Sequence, residues 1–159
     1  MVLNMKVSKW MVIGMSLLLM AAALFAPLGG KAEAATSPAK QVTQYAQKFM
    51  GVKYKDAGTT PKGFDASGYT QYVFANSVKV KLPRTSKDQY KAGKAVKQKD
   101  LKEGDLVFFN TNGKGVSFVG ISLGKDKFIA VTTTKGVSIN SMNTKYWKDR
   151  YVGARRVLK

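Results

Sequence analysis

The sequence predicts an α+β domain, with helices in its first half and antiparallel strands in its second. Three observations carry this expectation. Apolar residues recur at three- and four-residue spacing in the stretches around Val42 and Tyr69. After Gly104 they come instead as short runs, Leu106 to Phe109 being the first. Turn signals, Asn112-Gly113 and Lys135-Gly136 among them, separate those runs. Helices followed by strands define the α+β class.

The elements follow in order. A first helix is expected from Pro38 to about Met50, with Ser37 as its cap, Pro38 in its first turn and Gly51 as its stop. Val42, Tyr45, Ala46 and Phe49 would form its core face. Gly58 to Gly63 reads as loop. A second helix is expected from Asp65 or Ala66 to about Asn76, with Tyr69, Tyr72 and Val73 inward. A short helix after Thr85 would stop at Gly93. About five strands are then expected: Leu106–Phe109, Val116–Leu123, Phe128–Thr132, Val137–Ser141 and Tyr151–Val157.

The chain begins with Lys6 and Lys9, continues through an apolar run from Trp10 to Leu28, and reaches Ala32-Glu33-Ala34. A basic start, an apolar middle and a small-x-small end predict a secretory signal peptide over 1–34 and one mature domain over 35–159. The run also fits an uncleaved anchor, since a span takes about 20 residues. The chain has no cysteine and no histidine. That excludes lipidation, disulfides and thiolate metal sites, and no cofactor is expected. The net charge is +18. Its lysines (Lys53, Lys55, Lys79, Lys81, Lys87, Lys91, Lys94, Lys97, Lys99 and Lys102 among them) are interleaved with apolar residues, which predicts a folded basic surface that attracts polyanions.

Several motifs occur in sequence: Phe64-Asp65-Ala66-Ser67-Gly68-Tyr69, Leu82-Pro83-Arg84-Thr85-Ser86, Gln89, Glu103-Gly104-Asp105-Leu106-Val107-Phe108-Phe109 and Val119-Gly120-Ile121. In this order they resemble the NlpC-type family of bacterial cell-wall endopeptidases, over Val42 to Val157. The resemblance implies a compact papain-like fold. It also implies a thiol nucleophile at a helix start, a histidine on a strand, and a third polar residue, usually histidine, on the next strand. A thiolate is activated by the helix N-terminus and a neighbouring imidazole, and the third group fixes the imidazole tautomer. At these positions the chain carries Ala66, Phe118 and Ala130. Asp56 stands where the family usually has a tryptophan.

Other candidates follow from the resemblance. Tyr54 matches a tyrosine near the family's active site, or is ordinary core packing. Asp65 and Ser67 would bind the amino end of a peptide, or Ser67 would make a hydrogen bond near a helix start. Arg84 would hold a peptide carboxylate, or pair with Asp88 or Asp105. Gln89 would line the cleft or satisfy loop backbone. Phe118 beside Ala66 would pack the old site shut.

The main functional expectation is therefore a secreted, catalytically inactive relative of cell-wall endopeptidases, extracellular or wall-associated in a Gram-positive bacterium. It would bind peptidoglycan or an anionic wall polymer such as teichoic acid, or regulate a wall hydrolase, with no nucleic-acid partner. One alternative is an enzyme with a relocated nucleophile, Ser67 or Thr85, acting on peptidoglycan stem peptides. Another is a secreted cationic interaction protein.

Overall fold

A computed structural model describes residues 35–159. The leader expected over 1–34 lies outside the described residues. Helix α1, Pro38–Gln47, starts as expected: Ser37 Oγ accepts from the Lys40 N–H at 3.3 Å. It ends three residues before Met50. There the N–H groups of Phe49 and Met50 bond carbonyls three residues back, so the last turn is tighter than an α-helix. Gly51 then takes a left-handed φ of 83°.

Gly58 to Gly63 was expected to be loop, yet it contributes to a two-stranded hairpin, β1 (Thr59–Thr60) and β2 (Gly63–Phe64). Helix α2, Ala66–Ser77, is capped by Asp65, whose Oδ1 accepts from the Gly68 N–H at 2.7 Å. The Tyr69 hydroxyl donates to the Ala46 carbonyl at 2.8 Å and pins α2 to α1. Helix α3, Ser86–Gln89, is a single turn capped by Thr85. It ends before Gly93, which instead lies against Arg156: a Cβ there would sit 2.3 Å from the Arg156 carbonyl oxygen.

The main sheet has six strands rather than about five. They are β3 (Lys94–Val96), β4 (Leu106–Phe109), β5 (Phe118–Gly124), β6 (Lys127–Thr132), β7 (Gly136–Ser141) and β8 (Tyr151–Arg156), in the order β3-β8-β4-β5-β6-β7 and antiparallel throughout. A short helix, α4 (Lys145–Lys148), precedes β8. All four residues of β4 are buried. Leu106 and Phe108 face the helices, with Val42, Tyr69, Phe74 and Ile121. Val107 and Phe109 face the other side, with Phe128, Ala130, Met142 and Trp147. A strand covered on both faces reads as an unbroken apolar run, which is how β4 appears in the sequence.

Candidate active site

An open cleft of about 1080 Å³ runs along the end of α2. Its floor is the first turn of α2: Asp65, Ala66 and Ser67. One side comes from Tyr54, Asp56 and Ala57 and from Arg84–Lys87. The other comes from the loop before β5, from Phe118, and from the β6–β7 turn at Thr132–Lys135, with Tyr146 and Trp147 of α4 beside it.

Glycines fix the floor. Gly58 O accepts from the Asp65 N–H at 2.9 Å. A Cβ on Gly68 would lie 2.1 Å from that same oxygen, and a Cβ on Gly58 would lie 2.4 Å from Gly63 O. Only glycine allows the loop and the helix start to approach this closely.

The floor's polar side chains form one cluster. Arg84 donates Nη2 to Asp65 Oδ2 at 2.6 Å and Nη1 to Asp65 Oδ1 at 3.1 Å. Nη1 also donates to Ser67 Oγ at 3.0 Å, and Ser67 Oγ donates to Asp65 Oδ1 at 3.3 Å. The bonds to Asp65 raise the Arg84 guanidinium above its ordinary value, against a smaller opposing effect of burial. The pairing of Arg84 with Asp88 or Asp105 is thus corrected. Asp88 pairs with Lys91, and Asp105 is buried against Arg156.

Tyr54 belongs to the cleft wall rather than the core, with 38% of its surface exposed. Burial, followed by the charge of Asp56, pushes its phenol up. Gln89 is fully buried and does not reach the cleft, so its reading as a ligand contact is corrected. Its Nε2 donates to the carbonyls of Ser67 at 3.1 Å and Pro83 at 2.8 Å. It thereby ties the Arg84 segment to the first turn of α2. Thr85 caps α3 through the Asp88 N–H at 3.1 Å.

Ala66 and Phe118 both line the cleft, and Ala130 is buried behind them in the second core cluster. Phe118 packs on Trp147 with ring centroids 5.0 Å apart and on Phe109 at 6.2 Å. This packing does not shut the site, as had been expected. The ring leans on the far aromatic cluster and leaves the space above Ala66 open. Lys87, Lys135, Asn140 and Tyr146 also line the cleft and were not anticipated. They come from α3, the β6–β7 turn, β7 and α4, so no local motif announces them. Among the described residues no three acidic, cysteine or histidine side chains gather as metal ligands.

Comparison with known proteins adds four findings. The NlpC/P60 family description matches residues 51–156. The murein DD-endopeptidase MepS/murein LD-carboxypeptidase of Escherichia coli (strain K12) is 44% identical over 115 residues, covering 72% of this chain and 60% of that protein. The gamma-DL-glutamyl hydrolase of Bacillus subtilis (strain 168) is 40% identical over 117 residues, covering 72% of this chain and 28% of that protein. Among solved structures, an NlpC/P60 family protein from Bacillus cereus ATCC 10987 superposes with a TM-score of 0.73 at 35% identity, covering 78% of this chain and 41% of that one. The chain thus spans about three-fifths of the length of the first of these relatives, and less of the others.

Relatives this similar are named as hydrolases, and that overturns the expectation of a catalytically inactive binding or regulatory protein. The lack of thiol and imidazole is a fact of the sequence. The inference from that lack to an inactive protein is what the relatives correct. Family match, identity and fold agree: this chain belongs to the NlpC/P60 family.

Proposed function

We propose that the chain hydrolyses amide bonds in the peptide stems of peptidoglycan, with an oxygen nucleophile at Ser67. The carrying observation is the placement of Ser67 Oγ. It sits on the cleft floor in the first turn of a 12-residue helix, donating to Asp65 and accepting from Arg84. The hydrolase names of the relatives support the substrate class and the reaction class.

The chemistry follows from that placement. Ser67 Oγ attacks the carbonyl carbon of the scissile amide while its proton passes to Asp65 Oδ1. The first-turn N–H groups of a helix have no partners within the helix. Gly68 N–H is taken by Asp65, which leaves those of Ala66 and Ser67 to polarise the carbonyl oxygen. The C–N bond then breaks, and the amine leaves with the proton held by Asp65. Water hydrolyses the resulting ester and restores Ser67. Arg84 keeps Asp65 and Ser67 in place throughout.

The test is incubation of the protein with soluble muropeptides, followed by mass spectrometry. Specific stem-peptide fragments that vanish with Ser67→Ala are expected. An absence of fragments, or fragments that persist in Ser67→Ala, would overturn the proposal.

A further inference from the structure

Among the described residues, most of the positive charge has no carboxylate partner. Among the described residues, Lys91 and Lys145 are the lysines that pair with a carboxylate. Five of the remaining lysines border the cleft and make a basic track: Lys53, Lys55, Lys62 and Lys81 on the outside of the wall that carries Tyr54, and Lys135 on the opposite rim beside Lys53. Lys81 lies on a groove of about 430 Å³ with Thr59, Gln71 and Asn76. Thr59 opens the β1–β2 hairpin, whose turn carries Lys62. The stem of Lys55 packs over Gly63 of that hairpin, 2.6 Å from where a Cβ would stand. The same construction at Gly136 puts a Cβ 3.1 Å from the Lys53 Cα, so Lys135 follows next along the surface. All five are exposed.

The track differs from the chain's other basic stretches. Lys87 to Lys102 are interspersed with Asp88 and Asp100, Lys125 and Lys127 flank Asp126, and Lys145 and Lys148 stand beside Asp149. From Lys48 to Phe64 the single acid is Asp56, which accepts from the Tyr54 hydroxyl at 3.4 Å on the cleft side. Unpaired ammonium groups in a row make a field that concentrates a polyanion. The groove adds polar groups suited to hydroxyls. Gln71 and Asn76 each donate an amide hydrogen to backbone, at 2.9 and 2.8 Å, while their side-chain oxygens accept no bond within the protein.

We infer that this track docks a flexible polyol phosphate polymer alongside the cleft. Single ammonium groups suit the repeated monoanionic phosphodiesters, and Thr59, Gln71 and Asn76 suit the polyol hydroxyls. The inference extends the hydrolase reading, because a polymer held on the track would keep the cleft beside the wall material it is proposed to cut.

The test measures binding of soluble poly(glycerol phosphate) to the protein at low and at physiological salt. The variant Lys53→Glu/Lys55→Glu/Lys62→Glu is compared with Lys125→Glu/Lys127→Glu/Lys148→Glu, which makes the same change of charge elsewhere. Both are first checked for an unchanged circular dichroism spectrum. Salt-sensitive binding is expected, at least ~tenfold weaker in the first variant and less than ~threefold weaker in the second. Equal losses in the two variants, or no binding at low salt, would overturn the inference. So would a ~tenfold preference for double-stranded DNA or anionic vesicles over the polymer. Cleavage of soluble muropeptides by the same variants is read separately. Failure of cleavage in the unaltered protein overturns the hydrolase proposal, and loss of polymer binding alone overturns the docking surface.

Discussion

Arg84 grips both carboxylate oxygens of Asp65, at 3.1 and 2.6 Å, from 19 residues further along the chain. The same nitrogen that reaches Oδ1 also reaches Ser67 Oγ. One guanidinium therefore sets the orientation of the helix cap and of the proposed nucleophile together. Arg84→Lys keeps the charge but loses the fork. We expect kcat/KM for stem-peptide cleavage to fall about tenfold while stability changes by no more than ~1 kcal/mol, because the Arg84 side chain is 40% exposed and such pairs are screened. Kinetics and urea unfolding on the same variant check both halves.

Gly68→Ala places a methyl group 2.1 Å from the Gly58 carbonyl, where neither backbone can give way cheaply. The loop at Asp56–Gly58 must separate from the start of α2. A loss of about 2 kcal/mol or more is expected from this overpacking, together with loss of cleavage. Thermal unfolding of the variant against the parent gives the first quantity. An unchanged melting temperature would show that the loop is not held as described.

Tyr151 gives a prediction with a definite pH window. Burial raises its phenol from the usual 10.0 to about 12, and its hydroxyl has no hydrogen-bond partner. The folded state thus holds this proton more tightly than the unfolded state. Its contribution to stability is fully present below pH 10 and is lost as pH rises from 10 toward 12. Tyr151→Phe should make the unfolding free energy fall less steeply across that window. At neutral pH the variant should be as stable as the parent or slightly more so, because an unsatisfied buried hydroxyl is removed. The buried Tyr69 phenol is also pushed up, so part of the alkaline loss should persist.

The family resemblance places a thiol at position 66 and imidazoles at 118 and 130. The combined variant Ala66→Cys/Phe118→His/Ala130→His should raise stem-peptide cleavage at least ~100-fold, the scale of a positioned general base. Phe118 gives up a larger ring to a smaller one, and Ala66 faces open cleft. Only Ala130 is enclosed, with its Cβ 3.1 Å from where a Cβ on Gly120 would stand. Muropeptide cleavage by the triple variant beside the parent protein is the measurement, and equal rates would refute the assignment of these three positions.

Much of this fold was legible because several elements carry local punctuation. Ser37, Asp65 and Thr85 each cap the helix that follows. The run Leu106–Phe109 is apolar throughout because both faces of β4 are covered. The hairpin at Thr59–Phe64 was missed because its strands are two residues each, too short for any alternation to be read. Strand β3 was missed because its pattern is set by pairing with β8, 60 residues away, and not by its own side chains. At the site, Tyr54, Asp65, Ser67 and Arg84 do converge. That Arg84 chooses Asp65 over Asp88 depends on the Pro83 segment being strapped to α2 by Gln89, a tertiary arrangement with no local signature.

The sheet order β3-β8-β4-β5-β6-β7 also governs when the domain becomes a domain. Strand β8 follows the sheet's other five strands in the chain, yet it lies between β3 and β4 and pairs with both. Until residues 151–156 have emerged, β4 has one open flank and β3 has no neighbour in the sheet. Closure therefore waits on pairings of long sequence separation, which are slow to form. A nascent chain cut short before Tyr151 would expose the Leu106–Phe109 edge to other chains.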